Sequence, residues 1–155
     1  MTIKIQTLNE VKTVTKPWGH EKWIQVGEGD HTYVLKEIML NAGFKTSLQV
    51  HKFKAETNYI LQGEGEIVYS KVKLDCDKYL ADKYKVMEFD AIITDLEFAK
   101  FGPGSVMTIE PGTIHRMIAH TDLLFVEAST CHLDDVIRLQ DDANRQHGKI
   151  DSEHK

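Results

Sequence analysis

The stretch QVHKFKAE at residues 49–56 is the most informative part of the sequence, together with the stretch PGTIH at residues 111–115, about sixty positions later. Gln49 and His51 are two residues apart, so on a β-strand both side chains leave the same face. Glu56 can come from the next strand after a short turn, and His115 from a third. One amide oxygen, two imidazoles and one carboxylate suit zinc, manganese or iron, and the lack of thiolate disfavours a closed structural zinc site. Each residue alone reads as an ordinary surface residue, but the set predicts a divalent metal site.

Glycines frame both stretches and give them the spacing of known motifs. Gly43 precedes the first stretch and Gly63 follows it, whereas Gly104 precedes the second. The first pattern resembles the first motif of the cupin superfamily, with Gln49 in place of its first histidine. The second pattern resembles the second cupin motif. The resemblance implies a double-stranded β-helix, or jelly-roll barrel, with the metal inside.

Four further features narrow the resemblance to the type II phosphomannose isomerases, a family that also forms the C-terminal part of mannose-1-phosphate guanylyltransferases. They are KPWGHEKW at 16–23, SLQVH at 47–51, His115-Arg116 and DDVIR at 134–138. The resemblance covers residues 14–145. Two positions depart from the family, since Lys54 stands where it usually has Arg and Asn58 where it usually has Trp.

Composition and charge exclude several classes of protein. The 155 residues are 41% hydrophobic and 28% charged, which is typical of one soluble globular domain. A formal charge of −5 without a Lys/Arg-rich block argues against a nucleic-acid partner. There is no apolar run of the length of a signal peptide or a membrane span, and two cysteines do not suggest a secreted disulfide framework. These features predict a cytoplasmic protein without membrane contact.

Period-two hydrophobic patterns predict an all-β fold. Strands are predicted at 21–26, 32–40, 45–51, 57–61, 66–72, 105–109, 114–119 and 123–128. Only residues 133–140 have a helical pattern, with two aspartates at the start, so a short C-terminal helix is expected. Residues 74–101 have the least regular pattern, and within them residues 75–85 fit a helical turn or an inserted hairpin equally well. Residues 1–145 are predicted to form a single cupin domain, and residues 146–155 a polar, mobile tail.

Strand parity places two ionisable residues inside the barrel. His115, Met117 and Ala119 share one face of their strand, and Leu123, Phe125 and Glu127 share one face of theirs, as Lys36, Ile38 and Leu40 do. A buried charge requires a partner or a metal, so Lys36 and Glu127 have either a salt-bridge role or a catalytic role. Either residue, or a metal-bound water, could act as the base.

Three cations are candidates for contacts with an anionic substrate. Arg116 directly follows His115, so it faces away from the metal and is expected to be structural. Arg138 could fold over the rim of the barrel or pair with Asp134 or Asp142 on the surface. Lys54 lies between two predicted metal ligands in the sequence. It offers a point charge, whereas the Arg that is usual in the resembled family would bind phosphate bidentately. The substrate-binding prediction is therefore Lys54 and Arg138.

The resemblance implies metal-dependent aldose–ketose isomerisation of a small-molecule substrate, a sugar phosphate, by a homodimer. Strands up to Val26 could pair across the two-fold axis. Two alternatives remain open. One is another cupin enzyme, such as a dioxygenase, lyase or epimerase; Gln49 argues mildly against a dioxygenase, which favours other ligand sets. The other is a non-catalytic cupin that binds a sugar or small acid, because one fold hosts many functions.

Overall fold

Two facing antiparallel sheets form the protein in a computed structural model that describes residues 3–150 and residue 153. One sheet has the strand order β1-β2-β3-β10-β5-β8 and the other β11-β4-β9-β6-β7. The strands are β1 (Lys12–Lys16), β2 (Gly19–Val26), β3 (Val34–Leu40), β4 (Leu48–Val50), β5 (Glu56–Gln62), β6 (Gly65–Lys73), β7 (Glu97–Phe101), β8 (Val106–Ile109), β9 (Thr113–Ala119), β10 (Leu123–Ser129) and β11 (Ile137–Gln140). The predicted all-β jelly roll is confirmed.

Alternating burial along the strands directs one face of each sheet into the barrel. In β3 the residues Val34, Lys36, Ile38 and Leu40 are buried while the residues between them are partly exposed. The main core cluster lies between the sheets and contains Trp18, Ile38, Leu40, Ile60, Ile67, Phe101, Ile109, Met117, Ala119, Leu123 and Phe125. This apolar cluster contains none of the predicted metal ligands, so the barrel has a core that is independent of them.

The predicted C-terminal helix at residues 133–140 is wrong. Residues 137–140 form β11, which pairs antiparallel with β4 and places Arg138 opposite Gln49. Ile137 is buried in the second apolar cluster, whereas Arg138 faces the barrel cavity. The β-branched pair Val136-Ile137 favours a strand, and the edge of β4 supplies backbone hydrogen bonds that outweigh a helical pattern only eight residues long.

The helices of the protein lie in the middle of the chain. Residues 74–101 form α1 (Cys76–Leu80), α2 (Val86–Thr94) and β7, so the segment is helical with one added strand. Asp75 caps α1, because its carboxylate accepts a hydrogen bond from the backbone N–H of Lys78. Apolar residues of both helices pack around Leu48, Val50 and Ile114, which project from the outer face of the second sheet. Neither helix has the length and apolarity that a bilayer crossing demands, nor has any other helix within residues 3–150.

Candidate metal centre

Three of the predicted ligands converge at one buried point between the sheets. His51 follows β4, Glu56 begins β5 and His115 lies in β9. One ligand atom from each lies within 4.8 Å of the others, and all three residues are buried. Nε2 of His115 is 3.3 Å from Oε1 of Glu56, and Nε2 of His51 is 4.0 Å from Oε2. The cluster could therefore hold a metal ion, whose identity these residues do not determine.

Both imidazoles are held in the form that binds metal through Nε2. Nδ1 of His51 lies 2.5 Å from the backbone carbonyl of Asp135, and Nδ1 of His115 lies 2.9 Å from that of Thr113. A carbonyl only accepts, so each Nδ1 carries the proton and each Nε2 keeps its lone pair. Nε2 of His51 is buried without a hydrogen-bond partner among the residues that the structure describes. A cation between these nitrogens and Glu56 would satisfy all of them.

Electrostatics keep His51 and Glu56 in the protonation states that bind a metal. Burial lowers the pKa of His51 to about 4, and the ammonium of Lys54 acts in the same direction. Burial opposes ionisation of Glu56, but the charge of Lys54 and the contacts with both histidines hold its pKa well below the usual range. At neutral pH an uncharged His51 therefore lies beside an ionised Glu56, which are the forms that bind metals.

Gln49 lies at the edge of the cluster, in register with His115 on the neighbouring strand. Its amide nitrogen is 3.5 Å from Nε2 of His115, and its oxygen accepts a hydrogen bond of 2.7 Å from the hydroxyl of Ser47. For the oxygen of Gln49 to bind a metal, the side-chain amide must flip so that its oxygen and its nitrogen exchange places. A hydroxyl both donates and accepts, so Ser47 can bind either end of the turned amide. Gln49 stays a predicted ligand on this basis.

Asp135 fixes the loop that carries His51, a role that sequence reasoning missed. Its carboxylate accepts hydrogen bonds from the backbone N–H groups of Lys52, Phe53 and Lys54, at 3.0, 2.7 and 2.9 Å. Its carbonyl accepts the proton of His51. These contacts orient the imidazole, as partners behind a metal ligand usually do. The only sequence signal was the DDVIR stretch, interpreted there as the start of a helix.

The two predicted ionisable residues face the same cavity. Lys36 and Asn58 flank Glu127 in register on the adjoining strands. Lys36 donates to Glu21 at 3.1 Å, which confirms a salt-bridge partner for this buried ammonium. Lys54 lies 3.0 Å from Glu56 and 3.3 Å from Glu127, so its charge is shared by a metal-ligand candidate and a carboxyl next to it.

Glu127 and Lys54 have opposite electrostatic environments. Burial raises the pKa of Glu127 to about 7, and the charge of Glu56 adds to the effect while Lys54 opposes it. Burial alone would lower the pKa of Lys54, but the charges of Glu127 and Glu56 raise it above its usual value. A carboxyl that exchanges its proton near neutral pH beside a permanent cation suits general acid–base chemistry.

The two arginines of the prediction lie on different sides of the second sheet. Arg138 lines the cavity, and its guanidinium donates to the backbone carbonyls of Gln146 and Gly148. Arg116 points away from the cavity and donates to the carbonyls of Thr46 and Gln140. These contacts give Arg116 a structural position, whereas Arg138 faces the cavity.

Solved structures share this architecture at low sequence identity. An ectoine synthase from P. lautus matches 96% of this chain and 100% of its own, with 15% identity and a TM-score of 0.62. An RmlC-like cupin from Shewanella frigidimarina matches 83% of this chain and 91% of its own, with 10% identity and a TM-score of 0.58. The fold is that of a cupin. No protein-family model and no curated protein matches the sequence.

Larger proteins contain the same cupin barrel as a part. The oxalate decarboxylase of Lactobacillus farciminis, solved as a formate complex, matches 84% of this chain with 17% identity and a TM-score of 0.60. The capsular polysaccharide assembling protein CapF of Staphylococcus aureus matches 84% with 14% identity and a TM-score of 0.58. The present chain spans 34% of the length of each. Enzymes are thus among the proteins that share this cupin fold.

Asn58 is a polar side chain at the wall of the cupin cavity. It is only 1% exposed, and neither its amide nitrogen nor its oxygen has a hydrogen-bond partner in residues 3–150 and 153. An unsatisfied buried amide costs stability, so its presence at a cavity wall points to a role toward a ligand. The sequence showed Asn58 only as a departure from the resembled family.

Asn58→Leu is therefore expected to stabilise the metal-free protein. Leucine has the same branched arrangement of non-hydrogen atoms and leaves no amide unsatisfied, so the free energy of unfolding should rise by about 1 kcal/mol. Urea unfolding of the chelator-treated protein measures the change. Asn41→Leu, in an exposed turn, is the matched control and should not stabilise. A loss of stability in Asn58→Leu would show that the amide is satisfied in solution.

Proposed function

We propose that this cupin is a metal-dependent isomerase that interconverts an aldose phosphate and a ketose phosphate, with a mannose-6-phosphate-like substrate. The observation that carries the proposal is the contact chain from the candidate metal ligand Glu56 through Lys54 to Glu127. The carboxyl of Glu127, whose pKa is raised to about 7, thus lies in the same cavity as the candidate metal ligands. Isomerisation needs this pair, a site that polarises a carbonyl and a group that moves a proton between C1 and C2.

Each cavity residue has a part in the proposed reaction. A divalent cation held by His51, Glu56, His115 and Gln49 supplies Lewis acidity to the carbonyl and the neighbouring hydroxyl. Glu127 takes the proton from one carbon and returns it to the other. Lys54 holds Glu127 in place, since its ammonium is already bound by two carboxylates. Lys36 stays paired with Glu21 and contributes positive charge to the cavity wall.

The charge of the cavity favours an anionic substrate. Five cationic side chains line it, against four carboxylates: Lys16, Lys36, Lys54, Arg138 and Arg145, against Glu21, Glu56, Glu127 and Asp135. Asp141 and Glu153 pair with two of these cations, so a positive excess develops when a divalent ion is bound and Glu153 is displaced. A sugar phosphate, which brings about two negative charges, would then meet this excess. Arg138 is the predicted cation with a guanidinium at this wall, and the proposal assigns it to the substrate.

Proton exchange in heavy water tests the proposal directly. The protein loaded with zinc, manganese or iron should incorporate deuterium at C2 of mannose 6-phosphate, detected by proton NMR. His115→Ala, which removes one candidate ligand, is the matched control and should show no incorporation. If no aldose phosphate exchanges although sugars still bind, the non-catalytic alternative is correct. If sugars neither exchange a proton for deuterium nor bind, the isomerase proposal is wrong and the alternative of another cupin enzyme replaces it.

We also propose a homodimer formed through the N-terminal strands. β1 is the edge strand of the first sheet and pairs there with β2, so a second copy could continue the sheet at this edge. Light scattering at micromolar concentration measures the mass. A monomeric mass would contradict this arrangement.

A further inference from the structure

A further cationic cluster lines the same cavity as the candidate metal ligands and contains none of them. Lys16, at the end of β1, and Arg145, in the segment after β11, both line the cavity. Their side chains converge on the carboxylate of Glu153. Nζ of Lys16 is 3.0 Å from one carboxylate oxygen, and Nη1 of Arg145 is 3.3 and 3.5 Å from the two oxygens. All three side chains are largely buried.

Arg145 is oriented for this contact by a separate acid. Asp141 accepts from Nε of Arg145 at 3.0 Å and from Nη2 at 3.1 Å, a bidentate pair that fixes the plane of the guanidinium. Nη1 is thereby left to point at Glu153. A guanidinium locked by one carboxylate so that its remaining nitrogen meets a second anion has the geometry of an anion-binding site.

Arg138 adds an unused donor on the same side of the cavity. Its Nη1 is bound by the carbonyls of Gln146 and Gly148, but its Nε is buried without a hydrogen-bond partner within the described part of the chain. A buried N–H of a cation is costly when it is unsatisfied. Nε of Arg138 is therefore a donor that a ligand beside the Lys16–Arg145 pair could use.

We propose that Lys16 and Arg145 form the phosphoryl-binding subsite of the cavity and that the Glu153 carboxylate occupies it as an internal substitute until the ligand displaces it. This assignment rests on the proposed function for the identity of the substrate. A phosphomonoester carries about two negative charges and three acceptor oxygens, so it matches two cations better than one carboxylate does. The backbone N–H of Gly148 donates to Val136 at 2.9 Å, which attaches the segment before Glu153 to the barrel.

Removal of Glu153 should strengthen the binding of a free phosphate ion. In Glu153→Ala the internal competitor is gone, so the dissociation constant of inorganic phosphate should fall about tenfold. Isothermal titration calorimetry on full-length protein, treated with chelator and held at constant ionic strength, measures it. Because no metal is present, the result is independent of catalysis, and a failed deuterium exchange would not affect it. Glu153→Gln is the second variant if the alanine protein does not fold.

Three comparisons decide the outcome. Glu110→Ala is the matched control because it removes an acid 3.1 Å from Lys73 on the surface, and it should leave phosphate binding unchanged. Lys16→Met combined with Glu153→Ala should abolish the gain. An unchanged constant in Glu153→Ala, or a gain that survives Lys16→Met, would overturn the subsite. A gain for acetate as large as that for phosphate would overturn the phosphoryl assignment, because the subsite would then be one for carboxylates.

Discussion

Replacing His115 with alanine is expected to abolish stoichiometric metal binding. Its Nε2 is 3.3 Å from Glu56 and has its lone pair directed by the Nδ1 contact to Thr113. Loss of a residue that merely supports a metal ligand commonly costs 10- to 100-fold in affinity, so loss of the ligand itself should cost at least about 100-fold. His51→Ala should behave in the same way. Calorimetry with zinc and elemental analysis of purified protein measure the effect.

The fold of both variants should survive, because the main core cluster contains neither histidine. Circular dichroism checks this. His120→Ala is the matched control: this histidine follows β9 and is 3.8 Å from Glu66 on the surface, outside the cavity. It should keep full metal content. If His51→Ala or His115→Ala also keeps one metal ion per chain, the proposed ligand set is incorrect.

Glu127→Gln should eliminate most of the isomerase activity while metal binding remains. The amide has nearly the shape of the carboxyl but cannot exchange a proton, and a positioned general base typically contributes 10²- to 10⁴-fold to the rate. We therefore expect kcat to fall by about this factor, with little change in KM. The kcat for mannose 6-phosphate, measured by steady-state kinetics, and the rate of deuterium incorporation at C2 should decline together.

Glu66→Gln provides the control for the loss of one carboxylate. Glu66 lies on β6 outside the cavity, so this variant should retain its kcat. Metal content of Glu127→Gln must be measured in parallel, since Glu127 shares Lys54 with the ligand candidate Glu56. A variant with full metal content and undiminished kcat would remove Glu127 from the reaction and leave Lys36 or a metal-bound water as the base.

Residues whose position follows from local periodicity could be predicted from the sequence. The two-residue spacing of Gln49 and His51 and the parity of Lys36 and Glu127 each specify a face of a strand, and all four line the cavity. The strand at residues 137–140 could not be recognised, because a short apolar pattern fits helix and strand equally and the edge of β4 decided between them.

The contacts that long-range folding creates were beyond prediction. Asp135 binds backbone amides more than eighty residues earlier in the chain, and no pattern in its own neighbourhood indicates such partners. Lys16 and Glu153 meet across 137 residues. Asn58 was visible only as an unexpected residue type, since an unsatisfied amide is recognised only after its surroundings are known.

Asp135 and Val136 connect the loop of His51 to the part of the chain that follows β11. The carbonyl of Asp135 accepts a hydrogen bond from Nδ1 of His51, and the carbonyl of the next residue, Val136, accepts one from the backbone N–H of Gly148. The residue that orients a candidate metal ligand is therefore one peptide bond away from the residue that fastens the chain beyond β11 to the barrel.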